Sequence, residues 1–116
     1  MFQFTTIYYR VDDEETLEKF FSKTHLQLAE KLPGLVKSEL NRILGQPLGE
    51  SRYHLAYSLY FATEHSFYLS LASEPGIALM QALTPWVEAK LITWYFADSF
   101  EEFVEKRSQA VDLTPN

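Results

Sequence analysis

The chain has 116 residues, enough for one domain with a sizeable core. Hydrophobic residues make up 47% and aromatics 16%, and the formal charge is −6. That balance excludes a disordered chain and argues against nucleic acid, which needs clustered Lys and Arg. No cysteine is present, so disulfides, thiolate metal sites and cysteine nucleophiles are excluded.

The N-terminal "MFQFTTIYYR" alternates and lacks the basic and apolar blocks of a signal peptide. No apolar stretch approaches the roughly 20 residues of a membrane span. The expectation is a soluble, cytoplasmic protein with no membrane or nucleic-acid partner. Residues 2–10, β-branched and aromatic, predict a first strand. Asp12 then offers a helix N-cap, with Glu15 three residues on to complete a capping box. Leu17, Phe20, Phe21, Leu28 and Leu32 follow at helical spacing, with Thr24 inside the stripe and His25 at its edge. Pro33 and Gly34 end that helix.

Residues 35–44 read as a half-exposed strand, and "GQPLGES", 45–51, as the long loop. Residues 53–62 form the next strand. Thr63 caps a second helix carrying Phe67 and Leu71, then Ile77, Met80 and Leu83, with Pro75-Gly76 breaking it in two. Residues 90–98 give a fourth strand. The order βαββαβ predicts an α+β, ferredoxin-like protomer with a four-stranded antiparallel sheet and two helices on one face. Residues 1–100 make up this domain, and 101–116 a C-terminal helical turn and mobile tail.

The third strand offers Leu55, Tyr57, Leu59 and Phe61 to one face and Ala56, Ser58 and Tyr60 to the other. The fourth offers Ile92, Trp94 and Phe96 to one side, Leu91 and Tyr95 to the other. Sheets with one wet face alternate apolar with polar, and two helices cover only one face. A second copy of the chain is therefore expected on the other, giving a homodimer.

Tyr9-Arg10, "THLQLAEKLPGL" on the first helix, "YHL" opening the third strand and "SEPG" at 73–76 together resemble the EthD family, named for a protein encoded with ethyl tert-butyl ether degradation genes. The resemblance spans roughly residues 2–100, and its most specific piece is the His followed by Leu-Pro-Gly. It implies a dimeric α+β barrel, a fold whose members include isomerases, monooxygenases and dehydratases acting on small, often aromatic or lactone, molecules. His25 matches the family's helix-one histidine. Many relatives carry an Asp and an aromatic just before the last strand. Here that segment is "LTPWVEAK", with Thr84 and Pro85, so no acid carries over.

His25 has two readings: a helix-edge imidazole tied to a tyrosine or a carbonyl, or a catalytic group moving one proton near neutral pH. Tyr9, Tyr53, Tyr57 and Trp94 are the candidate substrate-binding residues, as an apolar wall with a few polar tips. Arg10 ends the first strand, in solvent or against a carboxylate. His54 and His65 lack ligand spacing relative to His25, so no metal site is expected. No phosphate loop or serine elbow occurs, and the RNA-binding signature of similar sheets is missing. Haem occurs on this fold class, but no local motif supports it. The function expected is conversion of a small hydrophobic or aromatic molecule in a catabolic pathway by His-assisted proton transfer without a cofactor, as in an isomerase, dehydratase or hydrolase. The alternative is a non-catalytic binding or accessory protein.

Overall fold

The structure, a computed structural model, describes residues 1–104. The elements are β1 (Phe2–Tyr9), α1 (Glu14–Phe20), a π-helical turn (Phe21–His25), α2 (Leu26–Glu30), β2 (Leu35–Arg42), β3 (Tyr53–Phe61), α3 (Glu64–Leu71), α4 (Glu74–Glu88) and β4 (Ile92–Asp98). The sheet order is β2-β3-β1-β4, antiparallel throughout. This is the ferredoxin-like α+β architecture that the element order predicts. Among the described residues, no helix is long and apolar enough to cross a membrane.

Register sorts the side chains into two faces. Cross-strand pairing aligns Arg42, Leu55, Tyr8 and Ile92 in one row, Leu40, Tyr57, Thr6 and Trp94 in the next, and Ser38, Leu59, Phe4 and Phe96 in a third. These rows face the helices, and their central members on β1 and β3 are buried with Leu17, Phe21, Phe67, Leu79 and Leu83. Burying each such apolar side chain is worth about 1.5–3 kcal/mol.

The opposite face is less apolar than the sequence suggests. β4 gives it Thr93, Tyr95 and Ala97, while Trp94 turns to the helices. Leu91 precedes the strand altogether. At its centre Gln3 Nε2 donates to Thr5 Oγ1 at 2.7 Å, and the Thr5 and Ser58 hydroxyls meet at 2.7 Å. Tyr60 donates to Glu39 at 3.2 Å, and Lys37 lies 4.6 Å above the Tyr60 ring. As expected, β3 gives this face Ala56, Ser58 and Tyr60 and β4 gives it Tyr95, so apolar and aromatic groups stand there beside the polar network.

Three further expectations change. The first N-cap is Asp13, whose carboxylate accepts from the Thr16 backbone and hydroxyl, so Asp12 and Glu15 form no capping box. The second helix breaks at Ser73, whose hydroxyl accepts from Gly76 N–H to cap α4, while Pro75 and Gly76 belong to the first turn of α4. Proline is accommodated there because its missing N–H would have no helical partner. A Cβ on Gly76 would stand 2.2 Å from the Ser70 carbonyl oxygen, so glycine alone permits this close approach of α4 to α3. Residues 100–104 are not helical, and the remainder of the expected turn and tail, 105–116, lies outside the described residues. Phe100 and Phe103 are almost fully exposed, and Glu101 pairs with Lys37 at 3.0 Å.

Candidate functional site: a buried tyrosine–histidine cluster

The first helix is not one regular α-helix. Its middle widens into the π-helical turn, which ends on His25. Such a turn inserts an extra residue and rotates the C-terminal part of the helix around its axis. The consequence is visible in burial: Phe21, His25 and Ala29 are buried, whereas Thr24 and Leu28 are only half-buried. His25 is therefore at the centre of the packed face, with 0% exposure, and not at its edge as simple 3.6 periodicity predicts.

Around His25 stand the rings of Tyr8, Phe21 and Tyr57, with centroids 5.7, 5.4 and 5.2 Å away. Trp86 meets Tyr8 edge-on at 5.9 Å and stacks on Phe20 at 4.4 Å. The Tyr8 hydroxyl and His25 Nδ1 are 2.5 Å apart. Among the described residues, His25 Nε2 and the Tyr57 hydroxyl are both buried without a well-aligned hydrogen-bond partner. Burial pushes the imidazole pKa down from its usual 6.5 to about 3, so the ring is neutral under physiological conditions. Burial, and then the charge of Glu18, push the Tyr8 hydroxyl well above the tyrosine range, and burial also raises Tyr57.

Accounting for protons fixes the tautomer. If Tyr8 donates to Nδ1, the ring proton sits on Nε2 and one buried donor is left over. If Nδ1–H donated to Tyr8 instead, both the hydroxyl proton and the Nε2 lone pair would be orphaned. An unsatisfied buried polar group costs about 1–3 kcal/mol, so the first arrangement is favoured. His25 thus presents Nε2–H, a donor.

A second polar group joins α1 to the sheet. Glu18 Oε2 accepts from Arg42 at 2.5 Å and from His54 Nε2 at 2.6 Å, and His54 Nδ1 lies 3.8 Å from Glu14. The Arg42 hydrogen bond is the main reason the Glu18 carboxyl is held below the usual carboxylate range. Arg10 donates to the Ser51 and Tyr53 carbonyls and pairs with Glu14 at 3.4 Å, so it fastens the end of the β2–β3 connection. Among the described residues, no group of three or more His, Asp or Glu is placed to hold a metal ion.

The candidate residues do not converge. Tyr57 touches His25. Trp94 lies in the same row as Tyr57 but two strands away, with Thr6 between them. It lines an apolar cavity of about 250 Å³ with Phe4, Phe67, Leu71, Met80 and Phe96. A larger, open depression lies at the far end of the sheet, lined by Met1, Thr63, Glu64 and Asp98, away from His25. Tyr9 and Tyr53 pair with each other at 5.4 Å, and Tyr9, adjacent to core-facing Tyr8, lies on the opposite face. They are thus separated from His25 by the sheet. Sequence reasoning missed Tyr8, Phe20 and Trp86. Trp86 had a signal, since it is the aromatic of the "LTPWVEAK" segment; Thr84 there is exposed and bonds the Met80 carbonyl, so no acid stands at that place.

An EthD family protein from Bacillus halodurans superposes with a TM-score of 0.79 at 25% identity, covering 86% of this chain and 99% of that one. The chain is similar to the EthD family. SnoaB, a cofactor-independent oxygenase from Streptomyces nogalater, shares the fold with the EthD-like chain at a TM-score of 0.62 and 15% identity, over 90% of this chain and 97% of its own. A dimeric ferredoxin-like protein of unknown function from Thermobifida fusca does so at 0.59 and 14%, over 83% and 88%. No family model and no curated protein sequence matches the chain.

Proposed function

We propose that the EthD-like chain binds and converts a small hydrophobic or aromatic molecule between its helices and sheet, with His25 assisting proton transfer and no cofactor required. The observation that carries this reading is the fully buried, unpaired Nε2 of His25, held by a π-helical turn beside a second unpaired group, the Tyr57 hydroxyl. Buried polar atoms are almost always paired, and π-turns persist mostly where they serve a site. The Trp94 cavity, two strands from Tyr57 on the same side of the sheet, offers an apolar wall. Its size falls below the roughly 300–1,000 Å³ of drug-sized sites, which suits one or two rings. SnoaB works without a cofactor on the same fold, which supports chemistry by side chains alone.

Full burial of His25 favours a second reading, in which the chain only binds or accompanies such a molecule. Native mass spectrometry for a co-purified ligand, followed by turnover of that ligand, separates the two. His25→Gln is expected to lower turnover by roughly 10²–10⁴-fold, the usual contribution of a proton-transfer group. Unchanged turnover in a folded variant would return His25 to the core.

A homodimer through the open sheet face belongs to the same proposal. Exposed Tyr95 on that face, the uncovered Phe100 and Phe103, and the dimeric Thermobifida protein support it. Light scattering at micromolar concentration is expected to give twice the chain mass.

A further inference from the structure

We infer that the ligand of this site presents an acceptor oxygen, as a carbonyl, enolate or phenolate, which accepts hydrogen bonds from His25 Nε2–H and the Tyr57 hydroxyl. The inference rests on the small-molecule reading above and narrows its substrate class. Three observations carry it. Tyr8, 2.5 Å from Nδ1, leaves the imidazole proton on Nε2. Nε2 and the Tyr57 hydroxyl are both buried and unpaired, and their rings meet edge-on at 5.2 Å. Both can therefore donate to a ligand oxygen, and burial strengthens a hydrogen bond to a partly charged oxygen. A ligand cation would meet the Nε2–H dipole with the wrong sign.

Position supports the same assignment. Burial raises the Tyr57 hydroxyl pKa, and the Ser38 side chain on β2 partly offsets this, although the two form no well-aligned hydrogen bond. Ser38, Leu40 and Arg42 share the helix-facing side of β2 and are exposed, and α1 reaches this strand through the Glu18–Arg42 pair. His25 acts in this scheme by holding charge on oxygen, as a neutral imidazole does when its basicity is suppressed.

The test uses 4-nitrophenol, whose absorbance reports its ionisation. It is titrated against the full chain across pH, with binding followed independently by Trp fluorescence. The bound probe is expected to ionise about one pH unit lower than the free one, which means roughly tenfold tighter binding of the phenolate than of the neutral phenol. Tyr57→Phe removes one donor with little change of shape, and it should abolish most of that preference while binding of the neutral phenol persists. His25→Gln, checked for folding by circular dichroism, should weaken the preference as well. If the phenol binds but ionises at or above its free value, or if Tyr57→Phe leaves the preference intact, the donor assignment is wrong while the small-molecule reading stands. If neither 4-nitrophenol nor 2-naphthol binds at millimolar concentration, the small-molecule reading fails and takes this inference with it.

Discussion

His25 and His54 occupy similar sequence, Thr-His-Leu in one case and Tyr-His-Leu in the other, yet the fold gives them opposite surroundings. His25 is enclosed by aromatic rings with one hydroxyl for a partner. His54, mostly buried, lies between two carboxylates and shares one of them with Arg42. Each stands at a backbone irregularity: His25 ends the π-helical turn, and His54 is the extra residue of a β-bulge where Tyr8 pairs Leu55 but Tyr9 pairs Tyr53. Irregularities re-aim single side chains without altering the fold around them. The chemistry of a histidine here is decided by that local turn of backbone, and the flanking residues reveal none of it.

Acid offers the largest way to separate the two. His25 titrates near 6.5 when unfolded and near 3 when folded, so the unfolded chain takes up the proton first. Its contribution is complete above pH 6.5 and is lost as pH falls toward 3, at a slope approaching ~1.4 kcal/mol per pH unit. Denaturant melts are expected to lose about 2–3 kcal/mol between pH 6.5 and 4.5. His25→Gln should flatten that segment. An equal slope in the variant would show that other groups drive the acid response.

Tyr8→Phe is expected to come next. It removes the hydroxyl that meets Nδ1 and leaves a buried acceptor unpaired, for about 1–3 kcal/mol. Because the loss sits in the core, it should be insensitive to salt, as urea melts at low and high ionic strength would establish.

Glu18→Gln sharpens the contrast from the other side. It weakens the links to His54 and Arg42, both partly solvated, so the cost should be about 1 kcal/mol or less. That cost should shrink further as salt screens the pair. A large salt-independent loss would place His54 in the same class as His25.

Much of the fold was legible because it depends on local signals. Thr63 caps its helix as expected, with Ser66 completing the box, and Pro33-Gly34 does end the first helix, with Gly34 at a φ of 81°. Strand count and order came from the apolar runs. The illegible part depends on register. A single strand shows which residues alternate, but pairing decides that Trp94 shares a row with Tyr57 and that Tyr9 does not share a face with His25. The π-turn was invisible for a related reason: its extra residue leaves the apolar spacing nearly unchanged while rotating His25 into the core. The Tyr8–His25 contact, 17 residues apart in the chain, required both facts at once.

Gly76 sets how the Trp94 cavity can admit anything. The Ser70 carbonyl and the Leu71 backbone occupy the space where any side chain at 76 would begin, so α3 and α4 are joined as a fixed elbow and not as a hinge. Phe67 and Leu71 line the cavity from one arm of that elbow and Met80 from the other. Widening the cavity by swinging the arms apart would break the contact that glycine makes possible. Any widening must come from side-chain rotation instead, which suits Met80, unbranched and easily re-shaped, while Phe96 already leaves the cavity's rim open to solvent.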